Sequence, residues 1–223
     1  MSDLLVRWVD ALPDGTVRDD VSLFDDGTVE RASAFPAVAP GPVMGWFRGH
    51  LGEDLLALAR SVAAQEAAGS SPGSPRPQAG AWTASTSGVT VPLWDEGGAP
   101  TIATLRSLLA ASLEAAGDCE TGVRFTATMT TVGDERAPLL SIENVGSTPA
   151  WCTIGEVDGA TATFLDPEGR ALGFLGSSIA LDGGATGNGL LVGWRGGDLL
   201  ELTVRLARPD GAAMSGRAFV AIG

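Results

Sequence analysis

The chain has 223 residues, enough for one large domain or two small ones, and 44% of them are hydrophobic, so it can bury a substantial core. Its 27 acidic and 14 basic residues give a net charge of −13, which repels nucleic acids and anionic membrane surfaces and argues against both as partners. Every basic residue is an arginine, which excludes Walker A phosphate-binding loops, pyridoxal Schiff bases and Ser-x-x-Lys sites, because each requires a lysine.

Residues 1–66 are predicted to form a small α+β part. Alternating apolar residues indicate strands near 4–8, 16–24 and 28–30, and turn sequences at 13–15 and 25–27 join them into a three-stranded β-meander. A helix is expected after the proline-broken segment 35–42. Its apolar stripe comprises Leu51, Leu55, Leu58 and Val62, with Gly69 beyond its end.

Residues 67–81 are rich in Gly, Ser and Pro and are predicted to be a linker. Residues 82–223 are predicted to form an antiparallel β-sandwich with one added helix near 101–116. From residue 122 onward apolar and polar residues alternate, and turn sequences separate the short segments, as is typical of half-buried strands. The helix is predicted by a one-sided apolar stripe of Ile102, Leu105, Leu109, Leu113 and Ala116.

One segment of this sandwich resembles a known kind of module. Residues 139–151 consist of an apolar run, an Asn-Val-Gly turn at Asn144 and a following run that reaches Trp151. This pattern is similar to a strand, turn and strand of bacterial immunoglobulin-like sandwich modules. The resemblance implies a non-catalytic role for the sandwich.

Residues suited to catalysis or metal binding are sparse. His50 is the only histidine, so any catalytic triad or dyad based on histidine must use it. Neither Cys119 nor Cys152 lies in a nucleophile motif, no Gly-x-Ser-x-Gly sequence occurs, and two cysteines make no disulfide framework. A zinc site would have to recruit ligands from remote segments. We therefore expect no enzymatic activity, no metal site and no cofactor.

The aromatic residues suggest a binding role instead. Trp46, Phe47 and Arg48 follow a proline-rich segment, and His50 lies two residues further on. Tryptophan and arginine are favoured at the energetic centres of protein interfaces, so these four residues are predicted to bind a partner. An alternative is that Trp46 packs the preceding loop onto the helix. Exposed tryptophans could also stack on a sugar.

The leading hypothesis is therefore a non-catalytic accessory or regulatory protein that binds another protein, as an inhibitor or adaptor. The alternative is a module that binds a carbohydrate or another small ligand, and the third hypothesis is a hydrolase centred on His50. The N-terminal residues do not resemble a secretion signal, and no apolar run reaches the about 18 residues of a membrane span, so we expect a cytoplasmic protein. The bias toward Ala, Gly and Arg is typical of a GC-rich bacterial genome.

Overall fold

The computed structural model divides the chain into two compact units. The first contains Met1–Ala32 and Phe47–Asp118, and the second contains Ser33–Trp46 and Cys119–Gly223. The residues that the structure describes are 2–12, 16–34, 43–69, 81–86, 89–93, 100–155, 161–165, 170–173 and 178–223.

The first unit is a sheet with helices on one face. Its elements are β1 (Leu4–Ala11), β2 (Val17–Phe24), β3 (Thr28–Ser33), the part of β4 (Met44–His50) that begins at Phe47, α1 (Glu53–Gly69), β5 (Ala81–Thr86), β6 (Val89–Pro92) and α2 (Pro100–Ala115). The strand order is β4-β3-β2-β1-β5-β6, and β1 pairs antiparallel with both β2 and β5. Side chains of β1, β2 and both helices form one hydrophobic cluster, with the ring of Trp8 fully buried in it. We call this the first cluster.

The second unit consists of two antiparallel sheets that share a hydrophobic cluster. Its strands are β7 (Asp118–Val132), β8 (Glu135–Asn144), β9 (Ala150–Ile154), β10 (Thr161–Leu165), β11 (Ala171–Gly173), β12 (Ser178–Leu181), β13 (Thr186–Val192), β14 (Leu199–Ala207) and β15 (Ala213–Ala221). One sheet has the order β11-β10-β13-β8-β7 and the other the order β12-β9-β14-β15. Residues of both sheets, such as Ile142 and Leu202, are buried together in what we call the second cluster.

The face of α1 that packs on the sheet differs from the predicted stripe. Leu55 and Leu58 are exposed, so their placement in the stripe was wrong. A period of 3.6 residues lets either of two adjacent leucines start an apolar stripe, and the sequence pattern selected Leu55 where the fold uses Leu56. The buried face consists of Leu56, Ala59, Val62 and Ala63.

Helix α2 presents the face that its sequence predicted. Leu105 and Leu109 are buried, as is Ala116 directly after the helix, and Ile102 and Leu113 pack partly buried against the first cluster. The fold also buries Leu108 and Ser112 on this face, which widens the stripe.

The described part of the chain is mainly antiparallel β-structure with two helices, consistent with the predicted β-sandwich. The division into domains at 67–81 stays a prediction, and residues 70–80 lie outside the described part of the chain. The contacts group β5, β6 and α2 with the first unit. Among the described residues, no helix has the length and apolar character needed to span a membrane.

Candidate functional site

The four residues predicted to bind a partner all lie on β4 (Met44–His50), which the sequence did not identify as a strand. The apolar stripe of the predicted helix starts at Leu51, directly after His50, but His50 is the last residue of this strand, and α1 begins at Glu53. Successive side chains of a strand point to opposite faces. Phe47 therefore points away from Arg48 and His50, and the four residues do not share one face.

Phe47 is an anchored side chain of the first unit. Its ring packs partly buried against the first cluster. The guanidinium carbon of Arg31 lies 5.4 Å from the ring centroid, within the range of a cation–π contact. Asp19 holds Arg31 in place through a contact of 2.9 Å between Oδ1 and Nη2. The Phe47 ring is thus held by the first cluster and by the Arg31 guanidinium, which is itself paired with Asp19.

Trp46 has a similar environment in the second unit. Its ring packs partly buried against the second cluster, and the guanidinium carbon of Arg208 lies 5.0 Å from the ring centroid. Two carboxylates position Arg208: Asp210 at 2.7 Å and Glu120 at 3.9 Å. The backbone N–H of Ala212 and the Arg208 side chain both donate to Asp210 and lower its pKa. Trp46 and Arg208 therefore form a rigid pair.

Arg48 and His50 are the two exposed members of the predicted group. The Arg48 Nη2 lies 4.0 Å from Glu30 Oε1, and 53% of the Arg48 side chain is open to solvent. The His50 imidazole lies beside the hairpin turn of residues 25–27: a Cβ added to Gly27 would lie 2.7 Å from His50 Cε1. Gly27 has φ +85°, which favours glycine, and its carbonyl accepts a hydrogen bond from Leu51 N–H. The His50 imidazole therefore lies on the surface of this turn.

Two carboxylates lie in that turn, and one is strongly acidic. The Ser2 hydroxyl donates to Asp26 Oδ2, and the Thr28 N–H donates to Asp26 Oδ1 at 2.9 Å. These bonds lower the pKa of Asp26 to about 2, with the Ser2 bond as the largest cause. Asp25 accepts from the Asp3 N–H at 3.0 Å. His50 therefore lies beside a turn that carries two carboxylates, each engaged in hydrogen bonds.

The two thiols are poorly suited to nucleophilic chemistry. Burial raises the pKa of Cys119 to about 11 and that of Cys152 to about 12. Because the thiolate is the reactive form, very little of either residue is reactive at neutral pH. Among the described residues, no group of three or more His, Cys, Asp and Glu side chains is arranged to hold a metal ion.

A further exposed aromatic residue lies on a surface that sequence reasoning did not single out. Trp151 is on β9, on the outer face of the four-stranded sheet, and 38% of its surface is open to solvent. The signal was present in the sequence. Ala150, Cys152 and Ile154 alternate with Trp151, so burial of those three requires the indole to point outward.

The fold and the side chains described above define the class of this protein as mainly antiparallel β-structure with exposed arginine and aromatic groups. Neither a protein-family profile nor a curated protein matches the chain. A fold class alone is compatible with many functions, and function depends on the individual side chains of a site.

Proposed function

We propose that this chain is a non-catalytic accessory or regulatory protein of the bacterial cytoplasm that binds another protein, as an inhibitor or adaptor. Arg48 and His50 supply the exposed contacts on β4, and Trp46 and Phe47 supply rigid aromatic groups on the same strand, with Phe47 on its opposite face. The observation that carries the proposal is this combination of exposed polar side chains and anchored rings on one short strand. Binding costs less conformational entropy when the contacting groups are already ordered.

The arginine pairs support the proposal through their rigidity. Arg208 over Trp46 and Arg31 over Phe47 are each held by carboxylates at 2.7 and 2.9 Å. Tryptophan and arginine dominate the binding energy of many protein interfaces when a well-packed surround fixes them. The Arg48 side chain adds a cation to a chain with a net charge of −13. We expect the partner to present a basic surface with a local acidic patch opposite Arg48.

The chemistry of the potential nucleophiles supports a role without catalysis. Burial keeps both thiols protonated at neutral pH, with pKa values raised to about 11 and about 12. The single histidine is exposed at the end of β4, beside the turn of residues 25–27. If the protein is not an enzyme, the substitution His50→Ala, which removes that imidazole, should not alter the rate at which any substrate is turned over. A hydrolytic activity that disappears in this variant would contradict the proposal.

We further propose that the sandwich is an immunoglobulin-like module in a chain that also contains the N-terminal meander and helix. Support comes from the turn between β8 and β9, which connects the two sheets. The fully buried Asn144 accepts a hydrogen bond from Gly146 N–H at 3.0 Å, and its amide donates to the carbonyls of Thr148 and Leu181 at 2.9 Å each. A turn organised by an inward asparagine suits the Asn-x-Gly pattern of those modules.

The experiment is quantitative recovery of partners on the tagged full-length chain, from a lysate of its own organism at moderate salt. The bait variants are wild type and Arg48→Ala combined with His50→Ala. Both substituted side chains are exposed, so we expect the double variant to fold normally and to recover several-fold less of the near-stoichiometric protein partner.

The matched control is Arg136→Ala, which removes an exposed arginine from the second unit and should leave recovery unchanged. Equal recovery by wild type and the double variant would remove Arg48 and His50 from the interface. If a folded wild-type bait recovers no stoichiometric protein at all, the proposed protein-binding function is wrong.

A further inference from the structure

The outer face of the four-stranded sheet carries an apolar row centred on Trp151. The strand registers place Ala180 of β12 and Ala207 of β14 directly opposite Trp151, and Ala213 of β15 opposite Ala207. Directly opposite side chains are about 5 Å apart in an antiparallel pair. We name these four residues the Trp151 row. Alanine side chains are too short to cover an indole, which leaves part of the ring accessible.

A polar row lies directly beside the Trp151 row. Arg205 of β14 is opposite both Thr153 of β9 and Ser215 of β15. These three residues are two positions along their strands from the Trp151 row, a step of about 6.6 Å, and they point to the same face. Arg205 and Ser215 are exposed. Arg205 is the diagonal neighbour of Trp151, within reach of a long side chain.

We propose that the Trp151 row and the adjacent polar row form a binding site for a neutral carbohydrate. The apolar face of a pyranose ring packs on the indole of Trp151. Its hydroxyl groups accept hydrogen bonds from the Arg205 guanidinium and exchange them with the Ser215 hydroxyl. This site lies in the second unit alone and goes beyond the protein-binding function proposed above.

The chemistry of the two rows favours this ligand over others. A sugar has one apolar face and a rim of hydroxyls, which matches an apolar row with donors and acceptors along one side. The net charge of −13 repels anionic ligands such as nucleic acids. Arg205 forms no ion pair within the described part of the chain, so its guanidinium is available as a hydrogen-bond donor.

The test is calorimetric titration of the full chain with cellohexaose, maltohexaose and chitohexaose. We expect saturable binding of at least one of them, and Trp151→Ala should weaken it about tenfold or more. Trp151→Phe keeps an aromatic ring and should recover part of the affinity. Arg205→Ala should weaken binding by about three- to tenfold through loss of charged donors.

Leu199→Ala is the matched control. Leu199 is an exposed apolar residue of β14, 45% open, and its eight-residue separation from Ala207 corresponds to about 26 Å along the strand. This variant should bind as wild type does. The proposal is overturned if none of the three sugars binds at up to about 10 mM, a Kd weaker than the millimolar range. It is also overturned if Trp151→Ala binds them normally, or if Trp151→Ala loses a protein partner while no sugar binds.

Discussion

The two units bury the apolar face of a sheet in different ways. In the first unit the apolar face of a sheet is covered by α1 and α2, and in the second unit it is covered by another sheet. Two glycines show what each cover requires. A Cβ on Gly49 would lie 1.8 Å from the carbonyl oxygen of Ala115 at the end of α2, whereas a Cβ on Gly187 would lie 2.4 Å from the terminal methyl of Ile179.

At these two positions the helix cover brings backbone against backbone, and the sheet cover brings side chain against backbone. Backbone atoms at a helix end are fixed by hydrogen bonds, while the end of an isoleucine can change rotamer. Gly49 should consequently tolerate less added volume than Gly187. The second unit should tolerate less removed volume, because both of its sheets are held by strand ladders and cannot easily close a cavity.

Cavity formation should produce the largest effects. Leu105→Ala on α2 and Leu202→Ala on β14 both remove a fully buried side chain. Each should lower the free energy of unfolding by about 2 to 5 kcal/mol, with Leu202→Ala at the upper end because the helix can shift to fill space. Denaturant unfolding monitored by circular dichroism measures both. Thr203→Ala and Ser107→Ala, on exposed neighbouring positions, should cost less than about 0.5 kcal/mol. A reversed order of the two leucines would contradict the proposed difference in rigidity.

The buried polar groups provide the second comparison. Asn144 is fully buried with three hydrogen bonds, and Asn144→Asp would place a carboxylate against two carbonyl oxygens that it cannot satisfy. Loss of these buried bonds should cost about 2 to 4 kcal/mol. Asn188→Asp is the control, because among the described residues Asn188 uses only its oxygen, as acceptor from the Ser141 hydroxyl. Similar thermal stability of the two variants would show that the Asn144 amide is not needed.

In the first unit, the buried Asp10 carboxylate is only half satisfied. Arg18 donates to Oδ2, and Oδ1 has no hydrogen-bond partner within the described residues. Asp10 also lies directly opposite Asp19 in the β1–β2 register, a like-charge pair. Asp10→Asn should therefore change stability by less than about 1 kcal/mol, far less than Asn144→Asp.

Substitutions at Gly49 and Gly187 test how closely the helix and the sheet pack on the strands beneath them. Gly49→Ala should lower stability by about 1 to 3 kcal/mol and exceed the effect of Gly187→Ala, since only the first forces backbone apart. Gly52→Ala is the control, because nothing lies within 4 Å of its added Cβ. Thermal melts of the three variants suffice. The interpretation fails if Gly187→Ala is the more damaging of the first two.

The arginine and ring pairs should contribute less. Arg31→Ala and Arg208→Ala each remove a cation from a ring at 5.4 and 5.0 Å. Each should cost about 0.5 to 1 kcal/mol, because both cations are partly solvated. Only Arg208→Ala should change tryptophan emission, since its ring partner is Trp46 and that of Arg31 is Phe47. An emission change in both variants would mean that the effect of removing an arginine extends beyond its own ring partner.

The smallest effects concern two carboxylates in turns, one in each unit. In both Asp26 and Asp210 a carboxylate oxygen accepts from the N–H two residues later, at 2.9 Å. The pKa of Asp26 is lowered to about 2, and that of Asp210 is also lowered. An unfolded aspartate titrates near pH 4, so the stabilisation is complete above about pH 4 and is lost as the pH falls through the folded pKa.

Ser2→Ala should raise the pKa of Asp26, because it removes the largest cause of the shift, and should leave the pKa of Asp210 unchanged. Carbon-detected NMR titration of the two carboxyls measures both values in one sample. A pKa of Asp26 that is unaffected by Ser2→Ala would show that the Thr28 N–H suffices.

The strands of the second unit were the most readable part of the sequence. Alternation from Leu200 to Leu206 places those leucines inward, and the structure buries them. Asn144 and Gly146 marked a turn that the structure contains between β8 and β9. Both signals are local, and both act on strands whose two faces differ in polarity.

Features that depend on distant residues were not readable. β4 contains Gly45 and Gly49, which weaken a strand signal, and their purpose appears only in the structure. Gly45 lies against the backbone at Thr121, and Gly49 lies against Ala115. The contacts of the Trp46 and Phe47 rings were also not readable from the sequence. Arg208, which lies over Trp46, is remote in sequence, and Arg31, which lies over Phe47, is on another strand.

In the sequence, residues 33–46 of the second unit separate the two segments of the first unit. This arrangement affects the order in which the two units can fold during synthesis. Residues 33–46 belong to the second unit but leave the ribosome before α1 and α2, while most of their own unit follows after residue 118. The first unit can complete its cluster once α2 has emerged, whereas the early segment must wait for strands made last. A nascent chain therefore carries Met44 and Trp46 without their cluster for most of its elongation, a period in which an early-binding chaperone would find them accessible.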